Sequence, residues 1–267
     1  MHESLPFDES QTKVSTGELP SLLEVEQYLH EAYAHYDRVL LTPQVVDIPK
    51  LAEVDPALFG ASICGAAGLT ADVGDAHHQF SIQSVSKAFV FALVCDAIGH
   101  LQVVEKVGVN GTGLPFNSVM AIELNTDRTM NPMVNAGAMA TTSLVPGDSA
   151  EDKWEFIRAG LSRFAGRDLE LDDEVYGSET ETNLRNQGIA HLLDGYGRMY
   201  FDPDAATEVY TRQCSLLVSA HDLAVMGATL ADGGINPVTG ERAIEAHTCK
   251  RVLAVLATAG LYEHSGD

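Results

Sequence analysis

Residues 80–98 place the strongest constraint on how this chain can fold. Residues 80–82 are a short strand-like run, and Ser84 follows at a change of pattern. The next stretch has helical character and is apolar on most sides. Its apolar members are Ala88, Phe89, Phe91, Ala92, Leu93, Cys95 and Ile98. A helix without a polar face must be surrounded by other elements, so the sequence predicts a central, buried helix here.

The same junction carries a candidate nucleophile. Ser84 and Lys87 are three residues apart, which in a helix places them on one face within reach of each other. A serine attacks well only when a base accepts its proton, and a lysine is such a base once burial or positive charge lowers its pKa. S-x-x-K is the nucleophile motif of penicillin-binding proteins and class A β-lactamases. The alternative is an N-cap serine followed by a surface lysine.

The charge balance argues against some classes of partner. The 267 residues include 38 acidic and 16 basic side chains, for a formal net charge of −22. Such a surface repels nucleic acid and anionic membranes, so neither is predicted as a partner. The N-terminus lacks the pattern of a signal peptide, and no apolar run approaches the length of a membrane span, so we expect a cytoplasmic protein.

Cysteines and histidines give no metal signature in the sequence. The four cysteines are far apart without C-x-x-C spacing, and Cys64, Cys95 and Cys214 lie in apolar runs, where a free cysteine fills space. The ten histidines, including His77 and His78, have no metal-ligand spacing and are predicted on the surface. We therefore predict no metal site.

The order of elements predicts an α+β fold. Residues 1–18 are polar and are predicted to be a loose arm, and the length of the remainder, residues 19–267, suits one large domain or two interleaved subdomains. Helical spacing begins at Leu22 and ends near Tyr36, and two strands are predicted at 58–65 and ending at 74–75. The remainder is mostly helical. The later predicted helices are 150–164, 179–193, 204–217, 219–230 and 244–256.

Several segments besides the S-x-x-K together resemble the serine-dependent glutaminase family, whose members are related to β-lactamases by fold. The matching segments are 74–75, 80–87, 113–118, 131–138, 178–179, 185–186, Tyr210, 213–215, 228–234, 237–242 and 260–262. They occur in the family's order from about residue 20 onward, and the block 131–138 is the most specific. The resemblance implies a β-lactamase/transpeptidase-like fold, with an antiparallel sheet flanked by helices and a helical subdomain.

The resemblance also implies a reaction. Glutamine would be hydrolysed to glutamate and ammonia without a metal or an organic cofactor. Ser84 would attack the side-chain amide carbon to form a glutamyl-serine ester, which water then hydrolyses. Lys87 and Tyr210 would move protons, and which of them accepts the first proton stays open. Ser84 and Tyr210 would also contact the substrate.

Four further residues would complete the substrate site by this resemblance. Glu179 would pair with the substrate ammonium, since a buried charge needs a counter-charge. Asn135 and Asn186 would donate N–H groups to the carboxylate, and Tyr262 would close the pocket. Each has an alternative. The asparagines could bridge loops, Glu179 could be a carboxylate at a helix N-terminus, and the tyrosines could be packed aromatics.

The sequence departs from the family pattern in two places. Asp47 stands where the family segment "Asp-Tyr-Ile-Pro" has a pocket tyrosine. The chain also ends before family catalytic domains do, so we expect the last strands of the sheet and one oxyanion donor to be missing. A homo-oligomer, dimer or tetramer, is expected. Two other functions stay open: another acyl-serine hydrolase of the penicillin-recognising fold, and a catalytically impaired glutamine-binding remnant.

Overall fold

The computed structural model describes residues 20–36 and 48–265. The predicted arm at residues 1–18 and Asp47 lie outside the described residues, so both expectations stay predictions. The helices of the described residues are numbered in chain order: α1 (Leu22–Tyr36), α2 (Ser86–Ile98), α3 (His100–Val107), α4 (Val119–Leu124), α5 (Asn135–Ser143), α6 (Ala150–Ala165), α7 (Asp173–Thr182), α8 (Leu184–Gly195), α9 (Pro203–Cys214), α10 (Ala220–Ala231) and α11 (Ala246–Ala259). In this part of the chain, no helix combines the length and apolarity that a membrane span needs.

The strands form two small antiparallel pairs. The pairs are β1 (Gly60–Cys64) with β2 (Thr70–Gly74), and β3 (Phe80–Ser81) with β4 (Leu217–Val218). The first pair is a hairpin whose register places Ser62 opposite Asp72. Gly68 turns this hairpin at φ 78, in the left-handed region, where a β-carbon would also collide with the Pro237 carbonyl oxygen. The strands predicted early in the sequence are confirmed.

Helices cover both faces of the β1–β2 hairpin. On one face, α1 packs Leu29 against Ala71 and Val73. Side chains alternate along a strand, so Asp72 points to the other face, where it contacts His221 of α10. An antiparallel sheet flanked by helices, beside a mostly helical remainder, confirms the predicted α+β class.

The helix α2 lies at the centre of the main core, as its apolar sequence predicts. Phe91 and Leu93 are almost completely buried, and α2 packs against α3, α5, α6 and α11. Gly160 of α6 sits directly against the Leu93 side chain, where a β-carbon would overlap it. This glycine therefore lets α6 approach the central helix closely, and α2 becomes a rigid support for whatever its first turn carries.

A second apolar cluster lies between α5, α8 and α9 and forms the core of a helical lobe. Every residue of α5 is buried. Gly137 is packed against the Asn131 carbonyl oxygen, so any larger residue would overlap it. The small residues of the block 131–138 let α5 run through the lobe, which places Asn135 at the N-terminus of a buried helix.

Two predicted helices have different bounds in the structure. The segment 179–193 is wrong as a single helix, because α7 and α8 meet at Asn183. The Asn183 side chain is buried and donates to Thr211 Oγ1 at 3.2 Å, which holds the break against α9. The predicted helix 204–217 ends earlier, at Cys214. There Ser215 bonds back to the Thr211 carbonyl, and Leu217 pairs as a strand.

Candidate active site

Ser84 lies on a tight turn between the end of β3 and the start of α2. This 3₁₀ turn spans Gln83–Val85. The buried Ile82 anchors it, donating its N–H to the Leu216 carbonyl at 2.8 Å. Gln83 has φ 49, which is uncommon for a residue with a side chain, and Ser86 Oγ donates to its carbonyl at 2.7 Å. The turn holds Ser84 half-buried at the wall of a cavity.

Lys87 is buried in the first turn of α2, three residues after Ser84. Its Nζ donates to Asn135 Oδ1 at 2.7 Å and lies 5.6 Å from the Phe116 ring centre and 5.4 Å from that of Tyr262. Burial lowers the pKa of Lys87 to about 8. The surface-lysine alternative is therefore wrong. At neutral pH a minor fraction of this amine is neutral, far more than in an ordinary lysine, and that fraction can accept a proton.

Asn135 connects the lysine to a second asparagine. Its own N–H donates to the Phe116 carbonyl at 2.8 Å, and its side-chain Nδ2 donates to Asn186 Oδ1 at 3.0 Å. Because Asn186 lies in the first turn of α8, this chain of bonds links α2, α5 and α8. The Asn186 amide nitrogen is not used in the bond with Asn135, which leaves its donors for a ligand in the cavity.

Glu179 is a buried carboxylate on the wall of the same cavity. Burial raises its pKa to about 7, while a hydrogen bond from Gln83 Nε2 to Oε2, at 3.4 Å, acts in the opposite direction. Among the described residues it takes part in no ion pair. It lies in the last turn of α7, so the alternative of a carboxylate favoured at a helix N-terminus is wrong. A ligand cation would supply its missing counter-charge.

The two tyrosines occupy different places. Tyr210 of α9 is buried, and burial raises its pKa well above the usual value, with Cys214 and Glu179 adding to the effect. Tyr262 is half-buried on a 3₁₀ turn with φ 54, and its ring packs 5.0 Å from that of Phe116. Burial also raises the pKa of Tyr262, and a hydrogen bond with Ser84 opposes that rise. Tyr262 therefore interacts with the candidate nucleophile, and Tyr210 lines the same cavity as Ser84.

A cavity of about 410 Å³ brings these groups together. The predicted site residues that line it are Ser84, Asn135, Glu179, Asn186 and Tyr210. Lys87 and Tyr262 are not on its wall, but each contacts a residue that is, namely Asn135 and Phe116. The residues predicted from distant parts of the sequence thus converge on one place.

Sequence reasoning assigned no role to several other residues at the cavity. Gln83, Phe116, Arg185 and Cys214 all line it. Each lay inside a matched segment, so the signal was present, but their chemistry alone did not mark them. Cys214 is buried as predicted, and burial raises its thiol pKa to about 12, with Glu179 adding to that rise. Cys214 therefore lines the cavity and also packs in the core of the helical lobe.

The chain belongs to the glutaminase family, since a sequence model of that family matches residues 44–267. It is 54% identical to glutaminase 2 of Yersinia pestis, in an alignment that covers 98% of this chain and 78% of that protein. It is 51% identical to a glutaminase of Brucella canis, over 82% of this chain and 69% of that protein.

Solved structures agree with this assignment. A structure described as the probable glutaminase YbaS superposes with a TM-score of 0.90 at 39% identity, covering 93% of this chain and 80% of that one. A Bacillus glutaminase solved in the presence of 4.3 M NaCl gives a TM-score of 0.80 at 30% identity, covering 91% and 78%. The β-lactamase-like α+β fold predicted from the sequence is therefore confirmed.

Proposed function

We propose that this protein hydrolyses L-glutamine to L-glutamate and ammonia through a glutamyl ester on Ser84. One observation carries the proposal: a serine one turn before a buried lysine of lowered pKa shares a cavity with a buried carboxylate that forms no ion pair within the described residues. The first pair suits attack on an amide. The second suits a ligand that carries an ammonium group, as an amino acid does. Membership of the glutaminase family supports both parts.

The residues divide the chemistry between them. Neutral Lys87 accepts the Ser84 hydroxyl proton as Oγ bonds to the amide carbon, and the Ser84 backbone N–H stabilises the oxyanion. The carbon–nitrogen bond then breaks, and the proton returns to the nitrogen as ammonia leaves. Water attacks the ester, loses its proton to the same base, and glutamate departs as Oγ is reprotonated. Tyr262 orients the serine hydroxyl, and Tyr210 supplies the second proton-carrying group.

The other residues of the cavity wall recognise the substrate. The substrate ammonium pairs with Glu179, and its arrival returns the pKa of that carboxylate toward the usual range. The amide groups of Asn135 and Asn186 donate to the substrate carboxylate. These contacts fix a free amino acid by both of its charges, which favours glutamine over an amide within a peptide.

The nucleophile is tested by Ser84→Ala, with Ser178→Ala as the matched control. Ser178 precedes Glu179 but lies off the cavity wall, and its hydroxyl accepts the Lys50 N–H at 3.2 Å. We expect Ser84→Ala to lose ammonia release by more than about 1000-fold while it still binds glutamine in calorimetry. The control should keep its rate within about twofold. Substantial turnover by Ser84→Ala would overturn the assignment. The same pair is measured in a chain extended to the length of the matched relatives.

Two rival functions make different predictions in the same assays. A hydrolase of the penicillin-recognising type would cleave a chromogenic β-lactam. A glutamine-binding remnant would bind glutamine saturably and release no ammonia, even when extended. The matched relatives are named glutaminases, and this favours hydrolysis of glutamine over both rivals.

We further propose that the protein works in the cytoplasm, that residues 19–267 act as one catalytic domain, and that it forms a homo-oligomer. All four cysteines are free, which suits a reducing compartment. Several large apolar side chains are exposed, which favours self-association; Leu101, Leu124 and Leu184 are each more than 70% exposed. Light scattering on the eluting protein tests the oligomer, and a single monomeric mass at micromolar concentration would contradict it.

A further inference from the structure

We propose that Asp72, His77 and His221 form a binding site for a divalent transition-metal ion, with zinc as the preferred ion. The site is separate from the glutamine cavity and does not depend on the proposed function. One ligand atom from each of the three side chains lies within 4.8 Å of the other two. They come from three elements: β2, the loop that follows it, and the first turn of α10.

The carboxylate lies between the two imidazoles. Asp72 Oδ2 is 3.0 Å from His221 Nδ1 and 3.3 Å from His77 Nε2. The two rings have centres 4.8 Å apart and planes 35° apart, so they lie side by side. Small side-chain rotations would let all three atoms meet one ion at the usual distances of about 2.0–2.2 Å.

The backbone already holds these side chains together. Ser62 Oγ donates to Asp72 Oδ1 at 2.6 Å, which orients the carboxylate and leaves Oδ2 facing the histidines. The His221 N–H donates to the Ala76 carbonyl at 3.0 Å, so the loop that carries His77 is tied to α10. A metal ligand supported by a second hydrogen bond is typical of sites that bind tightly. The groups held by these bonds therefore have little conformational freedom left to lose when the ion binds.

The donor set defines the class of ion. Imidazole nitrogen suits zinc, copper, iron and nickel, whereas calcium and magnesium prefer oxygen ligands. Two histidines and one carboxylate make a three-ligand zinc site with water in the fourth position. The His77 side chain is 70% exposed, so the ion has a path to the site and a water can complete it. The alternative is a pair of ordinary surface histidine–aspartate contacts, which contribute little.

The sequence could not show this site. His77 and His78 form a visible pair, but Asp72 and His221 are 149 positions apart, and only the packing of α10 on the hairpin joins them. An ion at this place would link the β1–β2 hairpin to α10 directly. Because it binds the folded chain and not the unfolded one, it should raise the melting temperature as its concentration rises.

His78 offers a matched control, since it is the neighbour of His77 and is also exposed but belongs to no cluster in the described residues. The full chain, free of any affinity tag and stripped with a chelator, is titrated with Zn²⁺ by calorimetry. We expect one ion per chain and a higher melting temperature for wild type and His78→Ala. His77→Ala and His221→Ala should lose at least about 100-fold in affinity, and Ser62→Ala roughly 10- to 100-fold.

Two outcomes would overturn the proposal. One is equal zinc affinity in His77→Ala and His78→Ala. The other is weak binding of several ions per chain, as expected from the acidic surface alone. His77→Ala alters only an exposed side chain, so it keeps the test valid if His221→Ala disturbs α10; unchanged melting of the metal-free variant checks this. Binding is read without turnover, so a failure of the proposed glutaminase activity leaves the result interpretable.

Discussion

Two surface residues that form an ion pair and two buried residues at the cavity show opposite behaviour. Lys50 and Glu174 lie on the surface, 2.7 Å apart, and hydrogen bonding between them raises the pKa of the lysine and lowers that of the glutamate. Lys87 and Glu179 are buried, and burial lowers the pKa of the lysine to about 8 and raises that of the glutamate to about 7. In the surface pair, each residue stabilises the charge of the other. Burial disfavours the charged form of Lys87 and of Glu179, which suits the one to accept a proton and the other to pair with a substrate cation.

The largest difference between the regions should appear in turnover. Lys87→Met removes the proposed base and should lower kcat by about 1000-fold, whereas Lys50→Met should change it by less than about twofold. Lys87→Met also removes a buried charge, so its melting temperature should not fall. Ammonia release under saturating glutamine measures both variants. An equal loss of kcat in the two variants would contradict the assignment of Lys87 as the base.

The two glutamates should differ in substrate affinity. Glu179→Gln leaves the substrate ammonium without a counter-charge and should raise KM by about 100-fold, whereas Glu174→Gln should leave KM within about twofold. Initial rates over a wide range of glutamine concentration separate KM from kcat. The assignment of Glu179 fails if its substitution lowers kcat alone and leaves KM unchanged.

The same glutamates should give opposite slopes of stability against pH. The unfolded chain ionises Glu179 near 4.5, but the folded chain keeps its proton to about 7, so this group's contribution falls as the pH rises through that window. The loss is at most about 3 kcal/mol. For Glu174, whose pKa is lowered, stability is instead lost as the pH falls. Between pH 5 and pH 8, Glu179→Gln should therefore gain melting temperature relative to wild type. A relative loss would show that the pKa of Glu179 is not raised.

The smallest effect concerns salt. The formal charge of −22 makes the surface repel itself, and added salt screens this repulsion while it weakens the Lys50–Glu174 pair only slightly. We expect the melting temperature to rise, or at least to hold, up to about 1 M sodium chloride, and the kinetic effect of Lys87→Met to be the same throughout. A steady fall in the melting temperature would mean that the loss of surface ion pairs in salt affects stability more than the screening of the net charge does.

Local patterns predicted much of the architecture. The all-round apolarity of α2 predicted a central helix, and the spacing of Ser84 and Lys87 predicted that they would share a helical face. In the structure Lys87 lies in the first turn of α2, and Ser84 lies in the 3₁₀ turn just before it. Those features depend on neighbours in the sequence. The more distant residues of the site, such as Glu179, were predicted from the family resemblance instead, because no local sequence pattern indicates that Glu179 lies near Ser84.

What the sequence could not predict depends on contacts between distant residues. The break at Asn183 rests on its bond to Thr211 of another helix. The positive φ of Gln83 depends on the turn being clamped by Ser86 and by Leu216. The place of Cys214 near Lys87 follows from the contacts that the end of α9 makes with Ser86. Composition and periodicity carry no information on contacts between residues that are far apart in the sequence.

The residue to which a reactive glutamine analogue becomes attached identifies the nucleophile directly. An analogue with a diazoketone in place of the side-chain amide alkylates the attacking group and stays bound. Peptide mass mapping should find one label per chain on Ser84, glutamine should protect against it, and Lys87→Met should slow labelling while Lys50→Met does not. Labelling of a different residue, or labelling of Ser84 at the same rate in both lysine variants, would contradict the account.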